Sequence, residues 1–514
     1  MCGIAGRLGR RAPGEDQRML SRMEHRGPDD QGEVGFSGGW LGHRRLSIVD
    51  VDGGHQPLGG APGERWLVGN GEIYNHEKVR RSLGTNHYRT QSDNEVALRL
   101  LEQRGPEALG ELEGMYALLS ATTGPHPPDS FVAARDPVGI KPLYWTGGRG
   151  RYTGDEVRFA SEISAFDNEW RPAVEVFPPG HYWTPETGLQ RFASAVVPAN
   201  GTNGYGGRSE PSQDDLDETR DTLIDSVRRQ MMGDVPVGVF LSGGLDSTLV
   251  AAIAARHCAE RGEQLKTFAV GVEGSPDVLA ARQAAQYLKT DHHERLYTAE
   301  EALAAVAPVV RAIEHFDVSL VRSAVPNYLL AEMTARHVKV VLTGEGADEL
   351  FAGYVYFRDF TDPDQLHDEL IANINGLHNL NLQRCDRVTM AHSLEARVPF
   401  LDREVIALAL RLPAAWKVSS DDVPEKRLLR QAFDGWLPHE LLWREKAQFG
   451  DGSGAAGVLT EAIESTISED EFAQEAATVD PPVRTREELA YYRIWRDHLD
   501  GVRPEQTLGR FATA

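Results

Sequence analysis

Val237-Gly-Val-Phe-Leu-Ser-Gly-Gly-Leu-Asp-Ser-Thr-Leu-Val-Ala-Ala-Ile-Ala-Ala-Arg256 opens on a β-branched and aromatic run and closes on an Ala-rich apolar segment. The first reads as a buried strand and the second as a helix. Between them lies Ser242-Gly-Gly-Leu-Asp-Ser247. Its two glycines let the backbone turn tightly and approach a ligand, and its serines add hydroxyls. The following helix aims its free N–H groups and positive dipole end at this loop, which makes the corner a site for phosphate or pyrophosphate. No lysine follows the glycines and Gly-x-Gly-x-x-Gly is absent here, so neither a Walker A loop nor a dinucleotide turn is indicated. Asp246 would repel a phosphate unless a cation lay between them, which implies Mg²⁺.

Further along, Leu265–Val272 and Val338–Thr343 read as strands, each followed by a turn and a helical stretch. Alternating β and α elements predict a doubly wound parallel sheet with ligands at the strand C-ends. Gly344-Glu-Gly-Ala-Asp-Glu349 sits at such an end, so its carboxylates are expected to share one nucleotide site with the first loop, one holding Mg²⁺ and another acting as a base. Arg397-Val-Pro-Phe-Leu-Asp402 reads as a structural turn, and His292-His293 as a structural or surface pair without metal-ligand companions. Gly452-Ser-Gly-Ala-Ala-Gly457 does spell Gly-x-Gly-x-x-Gly, but no strand precedes it, so it reads as a loop.

The chain has 514 residues and a formal net charge of −23. The length allows two or three cores, and the charge argues against nucleic acid and anionic membranes as partners. No apolar run is long enough for a membrane span and no signal-peptide core is present, so a cytoplasmic protein is expected. Three cysteines without a Cys-x-x-Cys pair fit a reducing compartment.

One of the three is Cys2. Removal of Met1, expected ahead of a small residue, would leave a cysteine whose own α-amine, with a reference pKa near ~7.7 to 8, can take the thiol proton. His25-Arg-Gly-Pro-Asp29 and His43-Arg-Arg-Leu-Ser-Ile-Val-Asp50 add positive charge. Asn70-Gly-Glu-Ile-Tyr-Asn75 sets a side-chain amide beside a glycine N–H, the donors of an oxyanion hole, and Ser92-Asp-Asn-Glu95 supplies carboxylates for an ammonium. Residues 196–214 are rich in Gly, Asn, Ser and Pro and read as a linker. They divide the chain into an N-terminal part, 2–195, and a C-terminal part, 215–514.

The N-terminal motifs, with Arg135-Asp-Pro-Val-Gly-Ile-Lys-Pro-Leu-Tyr144 and Phe159-Ala-Ser-Glu162, resemble the class II glutamine amidotransferase domain. That resemblance implies an αββα N-terminal-nucleophile hydrolase. In it Cys2 attacks the glutamine carboxamide, Asn70 and Gly71 form the oxyanion hole, Arg45 binds the glutamine carboxylate, and Glu72 and Asp93 hold its α-amine. The Ser242–Ser247 loop resembles that of the ATP-pyrophosphatases. Together the halves resemble the glutamine-hydrolysing asparagine synthetases, a family that passes ammonia through an interior tunnel to an acyl-adenylate. The resemblance implies ATP and Mg²⁺. Ser242, Gly243, Gly244, Asp246 and Ser247 would cradle pyrophosphate, and Phe240, Leu241, Val270, Thr343 and Gly344 would contact the rest of ATP. Asp246 and Asp348 would bind Mg²⁺. Glu345 would handle the protons of ammonia, with Lys446 beside it.

For the acceptor, the family pattern Asp-Val-Thr-Thr-Ile-Arg corresponds to Asp317-Val-Ser-Leu-Val-Arg322. Ser319 and Arg322 are the expected acceptor-binding residues, while Leu320 places an apolar residue where the family has a polar one. Aspartate is therefore the expected acceptor, with another carboxylic acid, giving an amide or hydroxamate, as the alternative. A non-catalytic sensor would lack Cys2, Asp246 or Glu345, and the ATP half argues against a stand-alone glutaminase. The resemblance also implies a homodimer.

Overall fold

The computed structural model describes residues 2–60, 64–123, 130–196, 208–420, 423–444 and 456–511. The N-terminal part holds two antiparallel sheets. One runs in the order Asp30–Phe36, Gly39–Arg45, Gly3–Leu8, Val157–Ala160, Tyr144–Trp145, Glu175–Val176, and the other Gly188–Arg191, His181–Thr184, Val132–Arg135, Gly114–Thr122, Arg65–Ile73. Strand alternation builds the layers. Ala117 and Leu119 face the other sheet, in a core with Ile4, Leu8, Val68, Phe159 and Trp183, while Tyr116 and Leu118 face Val96 and Leu100 of helix Glu95–Arg104. Helix Pro13–Arg22 covers the other outer face through Met19 and Leu20, against Ala5 and Trp40. The result is the expected αββα stack, with Cys2 at the start of an inner strand.

The C-terminal part carries one parallel sheet ordered Asp291–Leu296, Lys266–Gly271, Val237–Phe240, Val340–Leu342, Glu395–Arg397. Its first strand in chain order, Val237–Phe240, is central, so strand order reverses about it. That reversal opens the crevice at the strand C-end in which doubly wound folds bind ligands. The linker-proximal helix runs Gln213–Gln230, started by a reciprocal capping box between Ser212 and Asp215.

Two strands carry no clear signal in the sequence. Asp291–Leu296 is a half-buried edge strand of mostly polar residues, and it contains the His292-His293 pair. His293 stacks on Phe268 and His337, with ring centroids 5.4 and 4.1 Å away. Glu395–Arg397 is the other edge, three residues long and fully buried. Arg397 therefore belongs to a strand, and only the residues after it form the expected turn.

Candidate active sites

The backbone N of Cys2 donates to Asn70 Oδ1 at 3.0 Å. That bond turns the other end of the amide, Asn70 Nδ2, inward, where it is buried without a hydrogen-bond partner among the described residues. A buried amide N–H lacking an acceptor is costly, and it is the kind of donor that can receive developing negative charge. Gly71 is held at φ +136°, and a Cβ there would lie 1.9 Å from the carbonyl O of Met115. Any side chain at 71 is thus excluded twice, and Gly71→Ala is expected to give a chain that melts lower and lacks glutaminase activity, as thermal melts and glutamate release would show. Burial pushes the Cys2 thiol up, so forming a thiolate there needs a nearby base.

Around this pair lie the other expected glutamine ligands. Arg45 is buried and donates to the carbonyls of Val51, Asp50 and Val49 at 3.0, 2.6 and 3.3 Å. Those bonds fix the plane of the guanidinium and occupy part of its five-donor fork. Glu72 and Asp93 are both buried. Burial pushes Glu72 well above the usual carboxylate range, with Glu395 and Asp93 adding to it and Arg397 opposing. Asp93 is also raised by burial, against hydrogen bonds from Ile73 N at 2.6 Å and Asn94. Two buried carboxylates pushed toward protonation form a site that an incoming ammonium would satisfy. In the segment His43–Asp50, His43 is buried, burial pushes it down to about 3, and its Nε2 donates to Gly69 O at 3.2 Å.

The strand that follows Cys2 is tied to the C-terminal part. Arg26 Nε donates to Cys2 O at 3.0 Å, and its Nη1 meets Glu162 at 2.8 Å and Asp386 at 2.9 Å. Glu162 also pairs with Arg387, whose other arm meets Glu314. Asp386 and Arg387 belong to helix Asn381–Met390, every residue of which is buried. From the same helix Arg384 reaches the other site, pairing with Glu345 and donating to Ser323 Oγ at 2.9 Å.

That second site is the Ser242–Ser247 loop. Ser242 Oγ and Ser247 Oγ lie 3.0 Å apart, and Gly244 N donates to Ser242 Oγ at 3.3 Å. Helix Leu245–Glu260 starts without a side-chain cap, leaving its first N–H groups to a bound anion. Gly243, at φ +74°, has no room for a Cβ, which would lie 2.6 Å from Ala280 Cβ. At Gly344 a Cβ would approach Asp246 Cβ to 2.8 Å, so the two loops meet there. Val270 and Thr343 are buried near the ends of neighbouring strands, and Phe240 ends the central one.

Asp246 and Asp348 converge on one cation, Lys426 Nζ, at 2.5 and 2.6 Å. Burial would lower that lysine, but the two aspartates hold it above its ordinary value. Among the described residues no group of three His, Cys, Asp or Glu could hold a metal alone. Two hard carboxylates are nonetheless the set with which proteins hold Mg²⁺ that also binds substrate phosphates, so these residues fit the ion. The three carboxylates of the acidic loop divide. Asp348 faces Lys426, Glu345 faces Arg384, and Glu349 turns into the core to accept from Tyr354 OH at 2.7 Å and Asn381 Nδ2 at 2.9 Å. Burial raises Glu345 while Arg384 pulls it down. Lys446 lies outside the described residues. The cation beside Glu345 is Arg384.

At the expected acceptor site, Ser319 is exposed and its carbonyl accepts from Ser323 Oγ at 2.9 Å. Arg322 lies against Glu487, with Nε–Oε1 3.0 Å and Nη2–Oε2 2.5 Å, and against Thr460 Oγ1 at 2.6 Å. Leu320 is 1% exposed and packed in the core, its N donating to the cap residue Asp317. The departure from the family pattern therefore lies in the core and removes no donor from an open surface.

An asparagine synthase family model matches residues 218–362 and 357–503, and a glutamine amidotransferase domain model matches 1–184. A probable glutamine-hydrolysing asparagine synthetase of Schizosaccharomyces pombe is 39% identical, across 94% of this chain and 89% of its own. This chain belongs to the glutamine-hydrolysing asparagine synthetase family. Asparagine synthetase B of Escherichia coli K12 is 37% identical over 90% of this chain and 84% of its own. Within this asparagine synthetase fold two residues at the sites, Lys426 and Arg384, lie outside any motif read from the sequence, and Arg444 stands two residues before the expected Lys446. Arg444 donates to Gly243 O at 3.0 Å and Asp277 Oδ1 at 2.9 Å, bracing the anion loop. A lone basic residue in a polar stretch carries no signal until folding brings it to a carboxylate.

Proposed function

We propose that this chain hydrolyses glutamine and uses the ammonia to amidate an acyl-adenylate, with aspartate as the acid and asparagine, AMP, pyrophosphate and glutamate as products. The observation that carries the reading is that one chain joins two sites of matched chemistry. One is a cysteine whose neighbouring amide aims a buried, unpaired N–H inward, and the other is an anion loop facing two aspartates.

In the first site, once Met1 is gone, the Cys2 α-amine takes the thiol proton and the thiolate adds to the glutamine carboxamide. Asn70 Nδ2 and Gly71 N receive the oxyanion. The α-amine then protonates the leaving nitrogen, and water releases glutamate from the thioester. Arg45 orients the substrate carboxylate and Glu72 with Asp93 its ammonium. In the second site the Ser242–Ser247 loop binds the phosphates of ATP while the aspartate carboxylate attacks the α-phosphorus and pyrophosphate leaves. Mg²⁺, held by Asp246 and Asp348, supplies charge neutralisation to the triphosphate when bound. Ammonia then adds to the β-aspartyl carbonyl, AMP leaves, and Glu345 accepts the surplus proton.

Asn70→Ala is expected to lower kcat for glutamine hydrolysis by roughly 10²-fold or more, with a smaller change in KM, since the bond it loses strengthens in the transition state. Steady-state glutaminase assays measure both. The acceptor is tested by pyrophosphate release with ATP, Mg²⁺ and glutamine, with and without aspartate, and by mass identification of products. Aspartate-dependent pyrophosphate with asparagine is the expected result. Glutamate formed without aspartate-dependent pyrophosphate would instead point to another acid.

A further inference from the structure

The strand Glu395–Arg397 has no part in the chemistry proposed above. Yet its two charged side chains are fully buried at the glutamine site, more than three hundred residues along the chain from it. We propose that Arg397 is a positioning residue of that site, and that its fixed positive charge acts together with the incoming α-ammonium of glutamine to favour the ionised form of Glu72. This rests on the reading of Glu72 given above and adds the group that makes Glu72 competent.

The geometry is specific. Arg397 Nε is bonded to Glu395 Oε1 at 2.6 Å, and Nη1 to the carbonyls of Gln230 and Met232 at 2.6 and 2.5 Å. Three bonds pin the guanidinium plane, so its remaining arm cannot swing. That arm, Nη2, faces Glu72 Oε1 at 3.7 Å, an ion-pair separation too long for a hydrogen bond. Arg397 Nη2 and Glu72 Oε2 are each buried without a hydrogen-bond partner among the described residues. The fork therefore supplies positive charge to Glu72 without grasping it, and the carboxylate keeps its lone pairs for a substrate.

The charge balance explains why such a cation is required. Burial first, and then the neighbouring carboxylates Glu395 and Asp93, push Glu72 toward protonation. Arg397 is the side-chain cation that opposes protonation of Glu72. A protonated Glu72 would meet an ammonium as a neutral dipole and lose the charge-assisted bond that selects an α-amino acid. Arg397 is also fixed at the other site, because its carbonyl accepts from Thr343 N at 2.9 Å, one residue before the acidic loop. The glutamine pocket of the N-terminal part is thus completed from the sheet that carries the ATP site.

The test measures glutamine KM and kcat, ammonia-driven synthesis and thermal melts in the full chain. Arg397→Gln is expected to raise KM for glutamine about tenfold or more, with kcat within about threefold. Ammonia-driven synthesis should stay near the native rate. Arg397→Lys keeps the charge and loses the fork, so its KM is expected about threefold above native, and it is the variant to read if Arg397→Gln does not accumulate folded. A native KM in either variant, with ammonia-driven synthesis intact, overturns the proposal. So does an equal loss of glutamine- and ammonia-driven activity, which marks a purely structural role. Glu72→Gln separates the layers: a native KM there sinks the reading of Glu72 itself, whereas a raised KM beside an unaltered Arg397→Gln sinks only the role of Arg397.

Discussion

Cys2→Ala is expected to lower glutamine-driven synthesis by about 10⁴-fold or more and to leave synthesis from added ammonia within about twofold of native. The first half of that expectation follows from chemistry. Without sulfur there is no thioester, and the remaining donors, Asn70 Nδ2 and Gly71 N, can stabilise an oxyanion but cannot form one. The second half follows from packing. The thiol is buried, but its nearest hydrogen-bonding neighbour, Leu46 O, is 4.0 Å away, so an alanine methyl leaves the strand Gly3–Leu8 intact. The backbone bonds that orient the site, Cys2 N to Asn70 and Arg26 to Cys2 O, do not involve the side chain. Product analysis with glutamine and with ammonium salt as alternative nitrogen sources measures both. Equal loss of the two would mean that Cys2 supports the fold or the adenylating site, and the two-site mechanism would fall.

Much of this architecture is legible before folding because its signals are local. The corner at Val237–Arg256 states strand, turn and helix in consecutive residues, and its Gly238 and Gly243 are where a Cβ would collide. The proposed oxyanion donors, Asn70 and Gly71, are adjacent in sequence, so one motif names both. What stays hidden depends on contacts between distant segments. Lys426 lies in a polar stretch with no periodicity, and it reaches the two aspartates because its backbone is at φ +55° and Gly353 leaves room, a Cβ there falling 2.2 Å from Lys426 Cε. Glu395–Arg397 has the composition of a surface loop, yet its charges are buried against one another. Leu320 illustrates the opposite error. Read along the chain it looks like a lost polar contact, whereas helical phase turns it into the core, one position from the exposed Ser319. The pattern match ignores that phase, which is set by the cap at Asp317 where the helix Val318–Thr334 begins.

Asp246→Asn is expected to cut pyrophosphate release by about 10²-fold or more, and added Mg²⁺ should recover part of the loss. Asparagine is nearly isosteric, so the helix start and the approach of Gly344 should be kept. Charge is what changes. Asp246 and Asp348 both bring negative charge to Lys426, charge that a metal–triphosphate complex can also use. A neutral amide in place of the Asp246 carboxylate removes one of those negative charges. A weaker hold on the metal raises the Mg²⁺ concentration needed, whereas lost packing would lower activity at every Mg²⁺ concentration and lower the melting temperature too. Lys426→Met supplies the converse case. There the two aspartates repel without their shared cation, and the fall in pyrophosphate release should be accompanied by a lower melting temperature in the absence of Mg²⁺. Measured against Mg²⁺ concentration, a right-shifted curve for Asp246→Asn supports the assignment of Asp246 to the metal. Pyrophosphate release unchanged at both low and saturating Mg²⁺ would show that the anion loop works without this carboxylate and that its pairing with Lys426 is structural.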